Sequence, residues 1–166
     1  MDADLRAELL RRVDREQAAR RANDWAAAAA ADAGNLPWLK QVIAEHGWPG
    51  RSLVGEDGAH AVWLLVQHAD AEPGFQRRCL DLLTTAAGVG EASPVEMAYL
   101  TDRVLLAEGQ PQEYGTQAVA GGDRWVPRDL RDPGTVDERR AAVSLGPLAD
   151  YLARLTDAFG PPGPED

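Results

Sequence analysis

The sequence Ser93-Pro94-Val95-Glu96 marks the start of a helix more clearly than any other stretch of the chain. The serine and the glutamate three residues later form a capping box, and proline suits the first helical position. The helix that follows is apolar on most sides, runs to about Glu108, and leads directly into the polar sequence Gln112-Glu113-Tyr114-Gly115-Thr116-Gln117. This arrangement predicts a helical scaffold that builds a polar pocket beside a helix end.

Helical patterns also occupy most of the remaining chain. Apolar residues at helical spacing and a run of alanines predict one long helix over residues 3–32, which Gly34 should end. Further helices are expected at about 36–45, 58–70 and 73–87, from near Val136, and over residues 148–159.

One β-hairpin interrupts this helical pattern. Residues 113–120 alternate as a strand, Gly121-Gly122-Asp123 forms a turn, and residues 124–126 return, with Pro127 restricting the second strand to an edge. The predicted fold class is therefore mainly α: a single domain over residues 1–159, with six to seven helices and a hairpin near 113–127. The glycine- and proline-rich residues 160–166 should be a disordered tail.

Composition excludes several classes of function. The chain has 166 residues and a net charge of −10, which disfavours nucleic acid and anionic membranes as partners because both require a basic surface. No apolar run approaches membrane-spanning length, and the N-terminus lacks the features of a signal peptide. We therefore expect a cytoplasmic protein. The scarcity of lysine, with Lys40 the only one, suggests a GC-rich bacterial genome.

His68 is the first candidate for chemistry. It ends an apolar helix, and histidine titrates near neutral pH, as a general acid or base must. The alternative interpretation is a histidine that only caps the helix carbonyls.

Asp102 and Arg103 lie in the middle of the apolar helix, where unpaired polar groups are costly. They could orient a substrate or a partner base, or they could form a buried structural ion pair with Glu16, Arg20 or Arg140. Adjacent helical residues do not face each other, so each needs its own partner, and a structural role is favoured for at least one of them.

The segment after this helix offers further polar groups. Gln112, Tyr114, Thr116 and Gln117 could supply hydrogen bonds at a pocket mouth, and Gly115 permits an unusual backbone angle. The alternative is an ordinary strand start. No spacing of histidine, cysteine or carboxylate residues matches a usual metal motif, and no glycine-rich phosphate loop is present. We therefore expect neither a metal nor another cofactor.

An ordered set of motifs resembles a family of small bacterial domains of unknown function. The resemblance spans about residues 10–152 and rests on Glu16-Gln17-x-x-Arg20, Gly47-Trp48-Pro49, Gln67-His68-Ala69-Asp70, Tyr99-Leu100-x-Asp102-Arg103, Gln112-x-Tyr114-Gly115-Thr116-Gln117, Asp137-x-Arg139-Arg140 and Leu145. Glu16 departs from the aspartate expected there but keeps the carboxylate. The resemblance implies that these polar residues form one site and implies no particular activity.

The leading hypothesis is a small cofactor-independent enzyme. His68 would be the general acid or base, held by Asp102 or Glu16. Arg20 or Arg103 would bind an anionic group of a small metabolite or peptide. Substrate would be oriented, or developing negative charge stabilised, by Gln112, Tyr114, Thr116 and Gln117. The reaction would be hydrolysis, cyclisation, elimination or isomerisation. The alternative is a non-catalytic binding module in which the same polar groups form a buried structural network.

Overall fold

The computed structural model describes residues 1–162 and confirms a mainly helical fold with one hairpin. Most of the predicted tail, residues 163–166, lies outside the described residues. The elements are α1 (Ala3–Arg21), α2 (Trp25–His46), α3 (Arg51–Gln67), α4 (Pro73–Gly88), α5 (Pro94–Ala107), β1 (Ala118–Gly121), β2 (Arg124–Pro127), a 3-10 turn (Pro133–Thr135), α6 (Val136–Ala142) and α7 (Leu148–Phe159).

The chain divides into two compact units. The first unit is Met1–Met97, and the second is Ala98–Asp166, of which residues 98–162 are described. The boundary falls within α5. Buried apolar side chains of the first unit include Leu9, Leu39 and Val62, and those of the second include Leu100 and Val104.

The single helix predicted over residues 3–32 is wrong, because the chain breaks after Arg21. Asn23 adopts a left-handed backbone angle (φ 55°), and the side chain of Asp24 accepts a hydrogen bond of 2.9 Å from the N–H of Ala27. Asparagine tolerates the left-handed region, and aspartate is a preferred helix cap. This local chemistry outweighs the alanine run that follows, and α2 packs back against α1.

The predicted end at Gly34 is also wrong. Helix α2 continues to His46, with Pro37 inside it. It packs against both α1 and α3, and such packing can override the weak helix propensity of single residues. Helix α3 begins earlier than predicted, at Arg51, and has a break at Gly55, whose backbone is left-handed (φ 76°).

The later elements agree more closely with the sequence. Helices α4 to α7 lie near their predicted positions. The hairpin forms between β1 and β2 with Ala118 opposite Pro127 and Gly121 opposite Arg124. The first strand is shorter than the predicted 113–120, because the preceding N–H groups bond to a side chain, as described below.

Two properties concern the molecule as a whole. Among the described residues, none of the helices combines the length and apolar character that crossing a membrane requires. The single cysteine, Cys79, is fully buried on α4, and burial raises the pKa of its thiol to about 12. This thiol is therefore protonated and shielded, as expected for a small core residue.

Candidate functional site

The predicted site residues fall into two groups, one in each unit. Glu16, Arg20 and His68 belong to the first unit, whereas Asp102, Arg103, Gln112, Tyr114, Thr116 and Gln117 belong to the second. A single site that joins all nine residues stays a prediction.

Glu16 is a carboxylate in the core of the first unit. It lies on α1 two turns after Leu9, and both side chains are 0% exposed. Helix α1 packs against α3. The face of α1 that should be apolar therefore carries a charge, which must be compensated by partners to be tolerated.

His68 caps the C-terminal end of α3 and is one such partner. Its Nδ1 atom lies 2.6 Å from Oε1 of Glu16, and its side chain is 16% exposed. The histidine thus lies between a buried carboxylate and a partly open surface. Glu16, one of the two carboxylates predicted to hold His68, is in contact with it.

Arg20 and Asp32 complete this group, which we call the Glu16 cluster: Glu16, Arg20, Asp32 and His68. Arg20 lies one turn after Glu16, and its Nε donates to Oε1 of Glu16. Its Nη2 donates to Asp32 of α2 at 2.8 Å. The turn at residues 22–24 brings these two helices together, so the sequence prediction, which lacked the turn, missed Asp32.

The charges of the cluster shift the pKa values of its members. For Glu16, burial acts to raise the pKa, but contacts with His68 and Arg20 outweigh it and leave the pKa below its usual value. For Asp32, burial dominates and raises the pKa, although Arg20 opposes it. Burial disfavours the charge of Arg20, but its two carboxylate partners outweigh burial and raise the pKa.

Gln76 fixes the turn that carries His68, and the sequence prediction missed it. This buried side chain on α4 donates from Nε2 to the carbonyl of Val66 at 3.1 Å, to that of Gln67 at 3.3 Å and to Oδ1 of Asp70 at 3.1 Å. The carbonyls at a helix end lack partners within the helix. A glutamine from the next helix satisfies them here, and the position of His68 is thereby fixed.

A cavity of about 220 Å³ opens beside the cluster, and we call it the His68 cavity. It has room for about seven water molecules, at roughly 30 Å³ each. Its lining combines two carboxylates and the histidine with small apolar side chains. The lining residues are Ala29, Asp32, Ala33, Leu36, His68, Ala69, Asp70 and Ala71.

The second unit contains a different polar group centred on Asp102, which is 0% exposed. Its Oδ1 accepts the N–H groups of Glu113 at 2.8 Å and Tyr114 at 3.0 Å. Its Oδ2 accepts the N–H and the hydroxyl of Thr116 at 2.8 and 2.9 Å. All four of these hydrogen bonds come from neutral donors of one loop.

These four bonds act against burial, which raises the pKa of Asp102. They also explain the shortened strand, since the N–H groups of Glu113, Tyr114 and Thr116 are unavailable to a sheet. Gly115 has φ 69°, the unusual angle expected from the sequence. A side chain there would be strained by that angle and would approach Leu148 to 3.0 Å.

Gln112 is likewise saturated. Its Nε2 donates to the carbonyls of Gln117, at 2.9 Å, and Arg128, while its Oε1 accepts the N–H of Gln117 at 3.0 Å. A fully buried amide with these partners closes the loop on itself. This geometry fits the structural alternative for Gln112.

Two residues outside the predicted set hold the carbonyls of the same loop. Buried Arg140 donates to the carbonyl of Tyr114 at 2.6 Å, and the hydroxyl of Tyr151 donates to that of Thr116 at 2.6 Å. We call residues 112–117, with Asp102, Arg140 and Tyr151, the Asp102 lattice. Tyr114 and Gln117 are half-buried parts of it, and Arg103 is half-buried on α5.

The remaining histidines, His46 and His60, are exposed. His60 nevertheless has a carboxylate partner, because its Nδ1 lies 2.7 Å from Oε1 of Glu96. This pair repeats the pairing of His68 with Glu16 at the surface, where the His60 side chain is 55% exposed. It provides a natural control for experiments on His68.

Among residues 1–162, the first unit thus contains a buried ion-pair cluster beside a cavity, and the second contains a hydrogen-bonded lattice around Asp102. The chain belongs to DUF6624, a family of unknown function whose model matches residues 3–162. This match extends beyond the 10–152 of the expected resemblance. No curated protein and no solved structure matches the chain.

Proposed function

We propose that this protein is an enzyme in which His68 acts as general acid and base and Glu16 orients it. The observation that carries the proposal is the 2.6 Å contact between His68 Nδ1 and the fully buried Glu16 carboxylate. A carboxylate on one ring nitrogen favours a defined tautomer and stabilises the protonated ring. The other nitrogen, Nε2, would then exchange a proton with a substrate.

The His68 cavity supports this proposal because it gives a small molecule access to the histidine. A reacting group must come within hydrogen-bond reach of the base, and His68 lines the cavity. The lowered pKa of Glu16 keeps its carboxylate ionised at neutral pH, which the orienting role requires. Glu16, Arg20 and Asp32 would be positioning residues.

The charges around the cavity favour a neutral or cationic substrate over the anionic one that the sequence suggested. Asp32 and Asp70 line the cavity, whereas the guanidinium of Arg20 is already bound to Glu16 and Asp32. An anionic group would meet carboxylates rather than a free cation. The reaction class would be a proton transfer within hydrolysis, cyclisation, elimination or isomerisation.

The test compares wild type with His68→Gln and Glu16→Gln on a panel of small neutral and cationic esters, amides and amines, followed by NMR. The matched control is His60→Gln, which removes the surface histidine of a similar pair. General acid–base catalysis typically contributes about 10²–10⁴-fold. We expect a turnover that falls by about 10²-fold or more in His68→Gln and stays unchanged in the control. A turnover unaffected by His68→Gln contradicts the proposal.

A binding module is the second candidate, and the Asp102 lattice favours it. Every oxygen of Asp102 and the whole amide of Gln112 are paired within the second unit. Gln112 and Thr116, which the sequence assigned to substrate binding, therefore have partners inside this unit, and this supports a structural role for them. A substrate panel without turnover, together with an unaltered fold in His68→Gln, would favour this candidate.

A further inference from the structure

The Glu16 cluster also has the composition of a metal site. One potential ligand atom from each of Glu16, Asp32 and His68 lies within 4.8 Å of the other two. In a tetrahedral site with bonds of about 2.1 Å, ligand atoms are about 3.4 Å apart, so small side-chain movements would suffice. The three residues come from α1, α2 and the end of α3, which is why no spacing motif in the sequence revealed them.

Glu16 shows that the cluster is incomplete as it stands. Its side chain is 0% exposed, yet Oε2 has no hydrogen-bond partner among residues 1–162. Oε1, in contrast, is in contact with His68 Nδ1 at 2.6 Å. A buried carboxylate oxygen without a partner costs free energy, and a cation bound to it would remove that cost.

The charges of the cluster are compatible with a divalent ion. Glu16 and Asp32 contribute two negative charges, and Arg20, which pairs with both of them, contributes one positive charge. A divalent ion would change the net charge of these groups from −1 to +1, a small excess that an anionic ligand or hydroxide on the ion would neutralise. Arg20 would then orient the ligating carboxylates from behind, as outer partners of metal ligands commonly do.

We propose that Glu16, Asp32 and His68 bind a divalent transition-metal ion, with the remaining coordination positions facing the His68 cavity. One imidazole and two carboxylates suit Zn²⁺ or Mn²⁺, and three protein ligands leave positions open for a small molecule. The proposal goes beyond the proposed function because binding requires no reaction. Metal and proton compete for His68, so the loaded cluster differs from the acid–base form described above.

The first experiment is a calorimetric titration of the full chain, freed of metal with EDTA, with ZnCl₂ and with MnCl₂ near pH 7. We expect one ion per chain for wild type. Asp32→Asn and His68→Gln should each weaken binding by at least 10-fold, whereas His60→Gln should leave it unchanged. Because binding requires deprotonated ligands, the affinity should fall as the pH is lowered.

A second measurement needs no variant and guards against misfolding. Mn²⁺ bound at the cluster should broaden the ring signals of His68 in NMR spectra at substoichiometric amounts, before those of His60. Absence of stoichiometric binding, or equal affinity in Asp32→Asn, His68→Gln and wild type, would overturn the metal site. Turnover in EDTA tests the acid–base proposal separately, so either idea can fail without the other.

Discussion

Glu16 and Asp102 are both fully buried helical carboxylates, but their surroundings differ in kind. Asp102 accepts four hydrogen bonds from neutral donors of a single loop. Within residues 1–162, Glu16 contacts Arg20 and His68 through Oε1, whereas its Oε2 has no hydrogen-bond partner. The hydrogen bonds of Asp102 hold a loop in place. Glu16, in contrast, keeps an oxygen that can still accept a hydrogen bond or bind a ligand, and it lies in a cluster beside a cavity.

The difference teaches which buried charge to examine for function. A closed network satisfies its polar groups and gains rigidity. An incomplete one costs stability, and that cost is typical of sites arranged for a ligand or a reaction. By this criterion the Glu16 cluster is the functional candidate, and the Asp102 lattice is the framework of its own unit.

Asp102→Ala should give the largest effect on stability. Four donors lose their acceptor in a buried environment, and we expect a loss of about 3–5 kcal/mol in the free energy of unfolding. Urea denaturation measures it, with Asp123→Asn in the exposed hairpin turn as control. A loss below about 1 kcal/mol would mean that the hydrogen bonds of Asp102 contribute little to stability. The distinction between the Asp102 lattice and the Glu16 cluster would then be wrong.

Arg140→Lys should cause the second-largest loss in the free energy of unfolding. Arg140 donates to two carbonyls, those of Tyr114 and Gly146, each at 2.6 Å, and its guanidinium lies 5.4 Å from the ring of Tyr151. A lysine ammonium cannot reproduce this planar arrangement, so we expect a loss of about 2–3 kcal/mol. Arg128→Lys, at an exposed position, is the control. An unchanged free energy of unfolding in Arg140→Lys would show that a positive charge alone is enough at this position.

Glu16→Gln should cost less, about 1–2 kcal/mol at pH 7, because losing the ion pairs is offset by the smaller cost of burying an amide. The pKa of Glu16 lies below its usual 4.5, so its ionised form stabilises the fold. That contribution is fully present above pH 4.5 and is lost as the pH falls through the lower folded-state pKa. The stability gap between wild type and Glu16→Gln should therefore close in acid.

Denaturation curves from pH 3 to 7 would measure this gap, with Glu138→Gln on the surface as control. If the difference in the free energy of unfolding between wild type and Glu16→Gln does not change with pH, Glu16 is not ionised in the folded protein. A gap as large as that of Asp102→Ala would refute the distinction between an incomplete and a closed network.

Glu96→Gln tests the surface pair of His60 and Glu96 and should have the smallest effect on stability. The hydrogen bond to Glu96 raises the pKa of His60 above its usual 6.5, against a smaller effect of burial. NMR titration should show this pKa falling towards 6.5 in Glu96→Gln and staying unchanged in Glu56→Gln. An unchanged His60 in Glu96→Gln would mean that the pair does not form in solution.

The associated stability is minor, because the pair is exposed and therefore screened by solvent. We expect less than about 0.5 kcal/mol. It is fully present below pH 6.5 and is lost as the pH rises through the raised pKa of His60.

Much of the fold could be predicted from local chemistry. The capping box at Ser93 and the glycine turn of the hairpin are short-range signals, and both elements form near the predicted positions. The turn at Asn23 and Asp24 is also encoded locally, but the alanine run concealed it. The continuation of α2 through Pro37 could not be predicted from helix propensity, because packing against neighbouring helices stabilises the helix there.

The candidate site was harder to predict for a physical reason. His68 was identified because it ends an otherwise apolar helix, whereas Glu16 and Arg20 were identified through the motif of the resemblance. Asp32 follows the alanine run, but its role depends on the turn that brings it to Arg20. The partners of Asp102 are main-chain N–H groups, whose directions depend on loop conformation and leave no trace in residue identity.

Cys79 gives the first unit an internal reporter. It is the only cysteine of the chain, and it is fully enclosed and protonated near neutral pH. A thiol reagent can reach it only during transient opening of its surroundings. The rate of labelling therefore measures how often the region around Cys79 opens in the unmodified protein. Slower labelling in the presence of Zn²⁺ would show that the ion binds and stabilises the first unit, without any engineered probe.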